Sequence, residues 1–216
     1  MRIAREGWAV VGVAASATVI AAAAALAGAG EALWWTAGVL ATATLALTWF
    51  FRDPRRTSDA LPGGILAPAD GRVIVVRRTE NAGWVGEPAL QISIFLSLFD
   101  VHVNRYPVGG TVEYVDYSPG RFEPAWRETA SSRNERLEVG IRTDEGVRVL
   151  VRQVAGLVAR RIVNPSRVGQ RVQRGDRMGM IRFGSRTDLF LPAAARASVR
   201  GGDRAVGGVT VLAELP

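Results

Sequence analysis

Gly184-Ser185 is the residue pair in this chain with the most reactive chemistry open to it. A serine hydroxyl can attack the preceding carbonyl and move the acyl group from nitrogen to oxygen. Glycine suits the preceding position because a missing Cβ permits unusual backbone angles and close approach. Elimination from the ester leaves a dehydroalanine, and hydrolysis of that leaves a pyruvoyl group at a new N-terminus. Gly-Ser is also among the commonest turn pairs, so other residues must decide between the two readings. His102 is the single histidine and the only side chain with an ordinary pKa close to neutrality, which directs general acid or base chemistry to it. Along a strand through Phe99-Asp100-Val101-His102-Val103-Asn104-Arg105, alternation sets Asp100, His102 and Asn104 on one face and Phe99, Val101 and Val103 on the other. Asp70, in Pro68-Ala69-Asp70-Gly71, is either a turn residue or the carboxylate that orients His102 and stabilises its protonated form, as in a Ser-His-Asp relay. Asp100 competes for that role, but as the strand neighbour of His102 it lies about 7 Å away along the strand.

Composition narrows the chemistry. All 27 basic residues among the 216 are arginine. Without lysine there is no internal aldimine with pyridoxal phosphate, no Ser-Lys dyad and no lysine Schiff base, so an amine handled through an imine must meet a carbonyl that the protein makes itself. Without cysteine there are no disulfides, thiolate nucleophiles or zinc-thiolate sites. One histidine excludes a multi-histidine metal centre, and no metal site is expected. The net charge of +7 lies almost entirely after the first 51 residues. Beside a membrane segment, such a domain is expected to be drawn to anionic lipid, at about 1 kcal/mol per well-placed arginine. Nucleic acid is the usual rival for so basic a chain, and the membrane segment argues against it.

Two apolar runs, from about Trp8 to Gly28 and from about Ala32 to Phe51, are each long enough to cross a bilayer as a helix. The short Gly28-Ala29-Gly30-Glu31 link predicts an antiparallel hairpin over residues 1–51. Arg2 and Arg5 before it and Arg52, Arg55 and Arg56 after it place both outer ends on the cytoplasmic side of the cell membrane. A cleaved signal peptide is the competing reading of the first run, and helices that only dip into the bilayer are a third. Residues 52–64 read as a linker, and 65–216 as one domain of short strands rich in β-branched residues, notably 72–77, 90–96, 111–115 and 147–152. The predicted fold is mainly β within an α+β class: an antiparallel barrel or sandwich preceded by the helical hairpin. The stretch from Val168 to Ile181 resembles the strand-turn-strand edge of hammerhead barrels, although no lysine is present to carry a lipoyl or biotinyl group.

Taken in order, Pro68-Ala69-Asp70-Gly71, Asp100-Val101-His102-Val103-Asn104-Arg105, Pro119-Gly120-Arg121-Phe122, Asn134-Glu135-Arg136, Gln153 to Ile162, and Gly179-Met180-Ile181-Arg182-Phe183-Gly184-Ser185-Arg186 resemble the phosphatidylserine decarboxylases, in their short, archaeal-type branch. Phe183-Gly184-Ser185-Arg186 stands where the longer members have Leu-Gly-Ser-Thr. The resemblance implies self-cleavage between Gly184 and Ser185 into a β chain, 1–184, and an α chain, 185–216, that stay associated as a heterodimer. It implies a covalent pyruvoyl group made from Ser185, with His102 as base and Asp70 orienting it. The serine amine of phosphatidylserine would condense with the pyruvoyl ketone, which accepts the electrons released with CO₂ and leaves phosphatidylethanolamine. Arginines are expected at the lipid phosphate, with Arg160 and Arg161 as suggestions. Self-association into a homo-oligomer is left open. Two other readings stand beside this one: a membrane-anchored serine hydrolase using Ser185, His102 and Asp70 on an uncut chain, and a non-catalytic lipid-binding β-barrel adaptor.

Overall fold

The computed structural model describes residues 2–58, 63–80, 82–86, 88–157, 162–181 and 184–215, and the chain forms two compact units, 1–55 and 56–216. In the first, β1 (Arg2–Ile3) leads into helices α1 (Trp8–Leu26) and α2 (Ala32–Phe50), and β2 (Arg52–Asp53) returns to pair antiparallel with β1. Gly28 and Gly30, at φ +81° and +113°, make the reversal between the helices. Both helices are apolar on every side, as a helix surrounded by lipid would be, and each is long and apolar enough to cross a membrane. Their threonine hydroxyls are satisfied within the helices: Thr18, Thr36, Thr42, Thr44 and Thr48 each donate to the carbonyl four residues back, at 2.7–3.0 Å.

The second unit contains β3 (Gly64–Leu66), β4 (Gly71–Thr79), β5 (Ala89–Leu96), β6 (Val103–Arg105), β7 (Gly110–Ser118) and the short helix α3 (Ala130–Arg133). It continues with β8 (Arg136–Arg142), β9 (Arg148–Val154), β10 (Ile162–Val163), β11 (Arg171–Val172) and β12 (Arg177–Ile181). The last strands are β13 (Ser185–Pro192), β14 (Arg196–Ala197), β15 (Arg204–Ala205) and β16 (Val211–Glu214). Among the described residues they form an eight-stranded sheet in the order β11-β7-β8-β9-β13-β5-β4-β15, antiparallel throughout, and two three-stranded sheets, β10-β12-β6 and β14-β16-β3. The strands expected at 72–77, 90–96, 111–115 and 147–152 are β4, β5, β7 and β9. In the segment from Val168 to Ile181 a turn at Gly175, φ +86°, joins β11 to β12, which pair with β7 and β6 respectively and not with each other.

The period of two in the strands explains the two faces of the large sheet. Ile92, Ile94 and Leu96 of β5, Val139 and Ile141 of β8, Val149 and Val151 of β9, and Leu189 and Leu191 of β13 point into one core, which the smaller sheets close with Ile65, Met178 and Leu212. Each such side chain contributes roughly 1.5–3 kcal/mol by leaving water. The other face is polar yet covered. Arg186 is completely buried, donating from Nε to Asp188 at 2.5 Å, from Nη2 to Ser93 Oγ at 2.9 Å and from Nη1 to the Arg127 carbonyl at 3.2 Å. Ser131 Oγ donates to the second Asp188 oxygen and accepts from Arg152 Nη1 at 3.1 Å.

Asn134 ties the covering loop, residues 119–133, to the end of β9. Its amide donates to the carbonyls of Glu123 and Ala155, both at 2.8 Å, while its oxygen accepts the Glu123 N–H at 3.0 Å. Next to it, burial holds the Glu135 carboxyl above the usual range, opposed in part by the Ile162 N–H.

Two outcomes are expected. Asp188→Ala strands a buried guanidinium and should lower stability by roughly 3–5 kcal/mol, read by denaturant melts of the purified protein. For Glu135, the raised pKa means that the folded state binds a proton more readily than the unfolded state, so its contribution is present at low pH and is lost as pH rises through the folded pKa. Glu135→Gln should therefore raise the melting temperature at pH 7, by a margin that fades as pH falls towards about 4.

Candidate active site around Gly184 and Ser185

Ser185 is the first residue of β13, which lies in the middle of the large sheet. Its strand pairs with β5 from Ser185↔Leu96 to Pro192↔Ala89 and with β9 from Arg186↔Val154 to Phe190↔Leu150. Alternation turns Ser185 and Thr187 to the same side as Leu189 and Leu191, into the interior. Ser185 is fully buried, and its Oγ has no hydrogen-bond partner. A buried hydroxyl left unsatisfied costs about 1–3 kcal/mol, so such a group calls for a reason.

Gly184 has φ +67°, the left-handed region that a side chain would strain. Its carbonyl oxygen rests against Gly156, where a Cβ would overlap it. Its N–H donates to His102 Nε2 at 3.1 Å. His102 Nδ1 lies 2.9 Å from the Asp100 carbonyl, which can only accept, so Nδ1 carries the proton and Nε2 presents its lone pair to the Gly184-Ser185 region. The ring is fully buried.

The strand expected over 99–105 forms only from Val103. Residues 97–100 make a turn instead, in which Asp100 donates its N–H to the Ser97 carbonyl at 3.0 Å and takes Ser97 N and Oγ on its carboxylate at 2.8 and 2.6 Å. That turn sends the Asp100 side chain away from the ring, towards Ser97 and Arg204, while its backbone carbonyl holds His102.

Asp70 is also buried. It forms an ion pair with Arg56, one leg of which measures 2.7 Å, and accepts the Gly207 N–H at 2.8 Å. It makes no hydrogen bond to His102. Leu66 N–H bonds to the Pro107 carbonyl at 3.0 Å and Arg105 N–H to the Pro68 carbonyl at 2.9 Å, which runs the segment before Asp70 alongside the strand that follows His102. The β4–β5 and β5–β13 registers likewise bring the start of β4 into line with Leu96 and Ser185, about two strand spacings, or 10 Å, across the sheet.

Beside Ser185 lies a buried polar cluster that site reasoning from sequence passed over. Gln153, cross-strand partner of Thr187, donates to Asn104 Oδ1 at 2.5 Å and accepts from Asn164 Nδ2 at 2.7 Å. Asn104 Nδ2 and Thr187 Oγ1 have no partner, so three unsatisfied polar atoms, including Ser185 Oγ, line one inward face. The signal was present in the period-two spacing of Ser185 and Thr187, and in Asn104 lying two residues from His102. Arg160, Arg161, Arg182 and Phe183 lie outside the described residues.

The family description phosphatidylserine decarboxylase matches residues 43–213. The chain is 50% identical over 214 residues to the phosphatidylserine decarboxylase proenzyme of Symbiobacterium thermophilum, covering 99% of this chain and 96% of the relative. The proenzyme of Cupriavidus pinatubonensis is 46% identical over 214 residues, covering 99% and 95%. That of Magnetococcus marinus is 48% identical over 167 residues, 77% of each chain. With a match running through both flanks of Gly184-Ser185 and across the sheet that holds them, the chain belongs to the phosphatidylserine decarboxylase family.

Proposed function

We propose that the chain is a self-processing enzyme that cuts itself between Gly184 and Ser185, converts Ser185 to a pyruvoyl group and decarboxylates phosphatidylserine to phosphatidylethanolamine and CO₂. The observation that carries this reading is a buried, unpartnered Ser185 Oγ at a positive-φ glycine whose N–H already meets the histidine base. In the cut, Ser185 Oγ bonds to the Gly184 carbonyl carbon, the Gly184–Ser185 C–N bond breaks, and the serine hydroxyl proton passes by way of His102 Nε2 to the freed Ser185 nitrogen. Loss of the Ser185 α-proton with cleavage of the Cβ–O bond then releases the Gly184 carboxylate. Water replaces the α-nitrogen, which leaves as ammonia.

Each neighbouring group has a part in this scheme. Asp100, through its carbonyl, keeps His102 in the Nδ1–H tautomer, so the lone pair faces the reacting peptide. Asp70, held in place by Arg56 and Gly207 next to the histidine segment, supplies negative charge that favours the imidazolium formed when His102 takes the proton. Gly156 leaves room for the Gly184 carbonyl.

A pyruvoyl group at the head of β13 would sit among Asn104 Nδ2 and Thr187 Oγ1, donors suited to a small polar headgroup. When formed, the group supplies an electron sink for the carboxylate electrons. In this reading Asn104 and Thr187 orient the headgroup. The arginines that flank the helical pair support a catalytic domain on the cytoplasmic side of the cell membrane. The α chain keeps its place beside the β chain through the β13 ladder.

Intact mass decides between this reading and an uncut hydrolase. The purified chain should give two fragments meeting at Gly184/Ser185, the smaller blocked by a mass matching pyruvoyl, while Ser185→Ala stays whole. A whole wild-type chain that is labelled at Ser185 by a phosphonylating reagent would favour the hydrolase. Asp70→Asn should slow cutting in a time course, because it removes the charge beside the histidine segment and leaves Arg56 without its ion pair. Gly156→Ala should leave the chain folded by circular dichroism yet uncut, because the added methyl displaces the Gly184 carbonyl.

A further inference from the structure

Seven large apolar side chains of the second unit are exposed among the described residues: Leu98, Phe99, Tyr117, Trp126, Leu157, Val168 and Val209. Four of them, Leu98 at 50%, Phe99 at 80%, Trp126 at 60% and Leu157 at 57%, stand around the Gly184-Ser185 end of the sheet. Leu98 and Phe99 form the tip of the 97–100 turn, directly after Leu96, the cross-strand partner of Ser185. Leu157 follows Gly156, on which the Gly184 carbonyl rests. Trp126 stands edge-on to Phe95 with ring centroids 5.8 Å apart, and the adjacent Ala125 reaches within 3.3 Å of the Gly156 Cβ position.

Single apolar residues scattered on a surface are ordinary, whereas a set gathered on one rim marks an interaction site. The 97–100 turn is braced from below: Asp100 is buried and binds Ser97 through both N and Oγ. A turn so anchored holds its two apolar tip residues out by construction.

The charges beside the rim say what it meets. Arg204 donates to Asp100 at 2.7 Å, with most of its side chain in solvent. Arg121 and Arg133 share one acid, Glu123, at 3.8 Å each, and Arg127 is exposed beside Trp126. The nearby Glu128 is matched by Arg77. Apolar and aromatic side chains ringed by surplus guanidinium are complementary to an anionic lipid surface, where rings and leucines enter the interfacial layer and arginines meet phosphate.

We propose that Leu98, Phe99, Trp126 and Leu157 are a membrane-docking rim that seats the mouth of the site in the headgroup layer of an anionic bilayer, so that a lipid headgroup reaches Ser185 from the bilayer side. The rim rests on the proposed function for what the site does with that headgroup, not for the docking itself.

The cysteine-free chain permits a direct test. Full-length Phe99→Cys and Val168→Cys chains, each labelled with the environment-sensitive fluorophore NBD, are reconstituted into phosphatidylcholine vesicles containing phosphatidylglycerol, which has no amine to decarboxylate. The probe at 99 should shift to the blue and be quenched several-fold more by shallow doxyl lipids than the probe at 168. Replacing Leu98 and Phe99 together by serine should reduce the same quenching of a probe at Leu157→Cys. Equal, water-like emission at 99 and 168 would overturn the docking rim. So would a shift at 99 that follows protein concentration and ignores doxyl lipid, which would assign the rim to a second copy of the chain. Intact mass of the same samples separates the two readings: an uncut chain that still docks overturns the proposed function and leaves the rim standing.

Discussion

The constraint on which the second unit depends is the backbone ladder along both sides of β13. Ser185 to Pro192 is paired to β5 through its whole length and to β9 over five residues, so its backbone groups are satisfied by strands distant in sequence. A strand at the edge of a sheet, released at one end, would be free to leave. A strand held in the middle is not, because removing it would expose the ladder groups of two neighbours together with both of its side-chain faces. Under the proposed cut, the placement joins two requirements that look opposed: a chain break at the residue that starts the strand, and a fixed position for the new end.

The two faces of β13 divide the work. Inward, Leu189 and Leu191 belong to the hydrophobic core, and nearer the start of the strand that core gives way to Thr187 and Ser185 beside Gln153, Asn104 and Asn164. Outward, Arg186 and Asp188 form a closed ionic cluster with Ser93 and Ser131. Arg186 follows the reactive serine in sequence, yet its side chain faces away from the site. Its buried charge is compensated by a carboxylate, a hydroxyl and a carbonyl, which fixes the covering loop over the sheet. The same loop carries Trp126 and, through Asn134, the end of β9, so the rim, the Gly156 contact and the outward network are mechanically linked.

At the Gly184–Ser185 bond the geometry depends more on backbone than on side chains. Gly184 adopts a left-handed conformation, Gly156 gives its carbonyl room, and the Asp100 carbonyl sets the tautomer of His102. Among the described residues, the imidazole and the serine hydroxyl are the side-chain groups at this point. Asp70, one layer further out, is committed to Arg56 and to a backbone N–H and acts at most through its charge. A chain with no lysine has no ready-made amine for carbonyl chemistry, and in the proposed function the backbone opens at a serine to supply the carbonyl instead.

The sequence by itself determined the apolar helical pair, the β character of the domain, and Ser185, His102 and Asp70 as the residues to watch. These are local properties: uninterrupted apolar runs, period-two alternation, and residue types with few chemical alternatives. It also held the ordered motifs that tie the chain to its family. The 97–100 segment is a turn and not a strand because short-range hydrogen bonds of Asp100 with Ser97, three residues away, override the alternation there. Only the tertiary structure placed Asp70 on Arg56, collected Asn104, Gln153 and Thr187 beside Ser185, and set Gly156 against Gly184. Each of those joins segments separated along the chain, by 14 residues for Arg56 and Asp70 and by 49 for Asn104 and Gln153, and the spacing within any one segment carries no information about which segment will lie beside it.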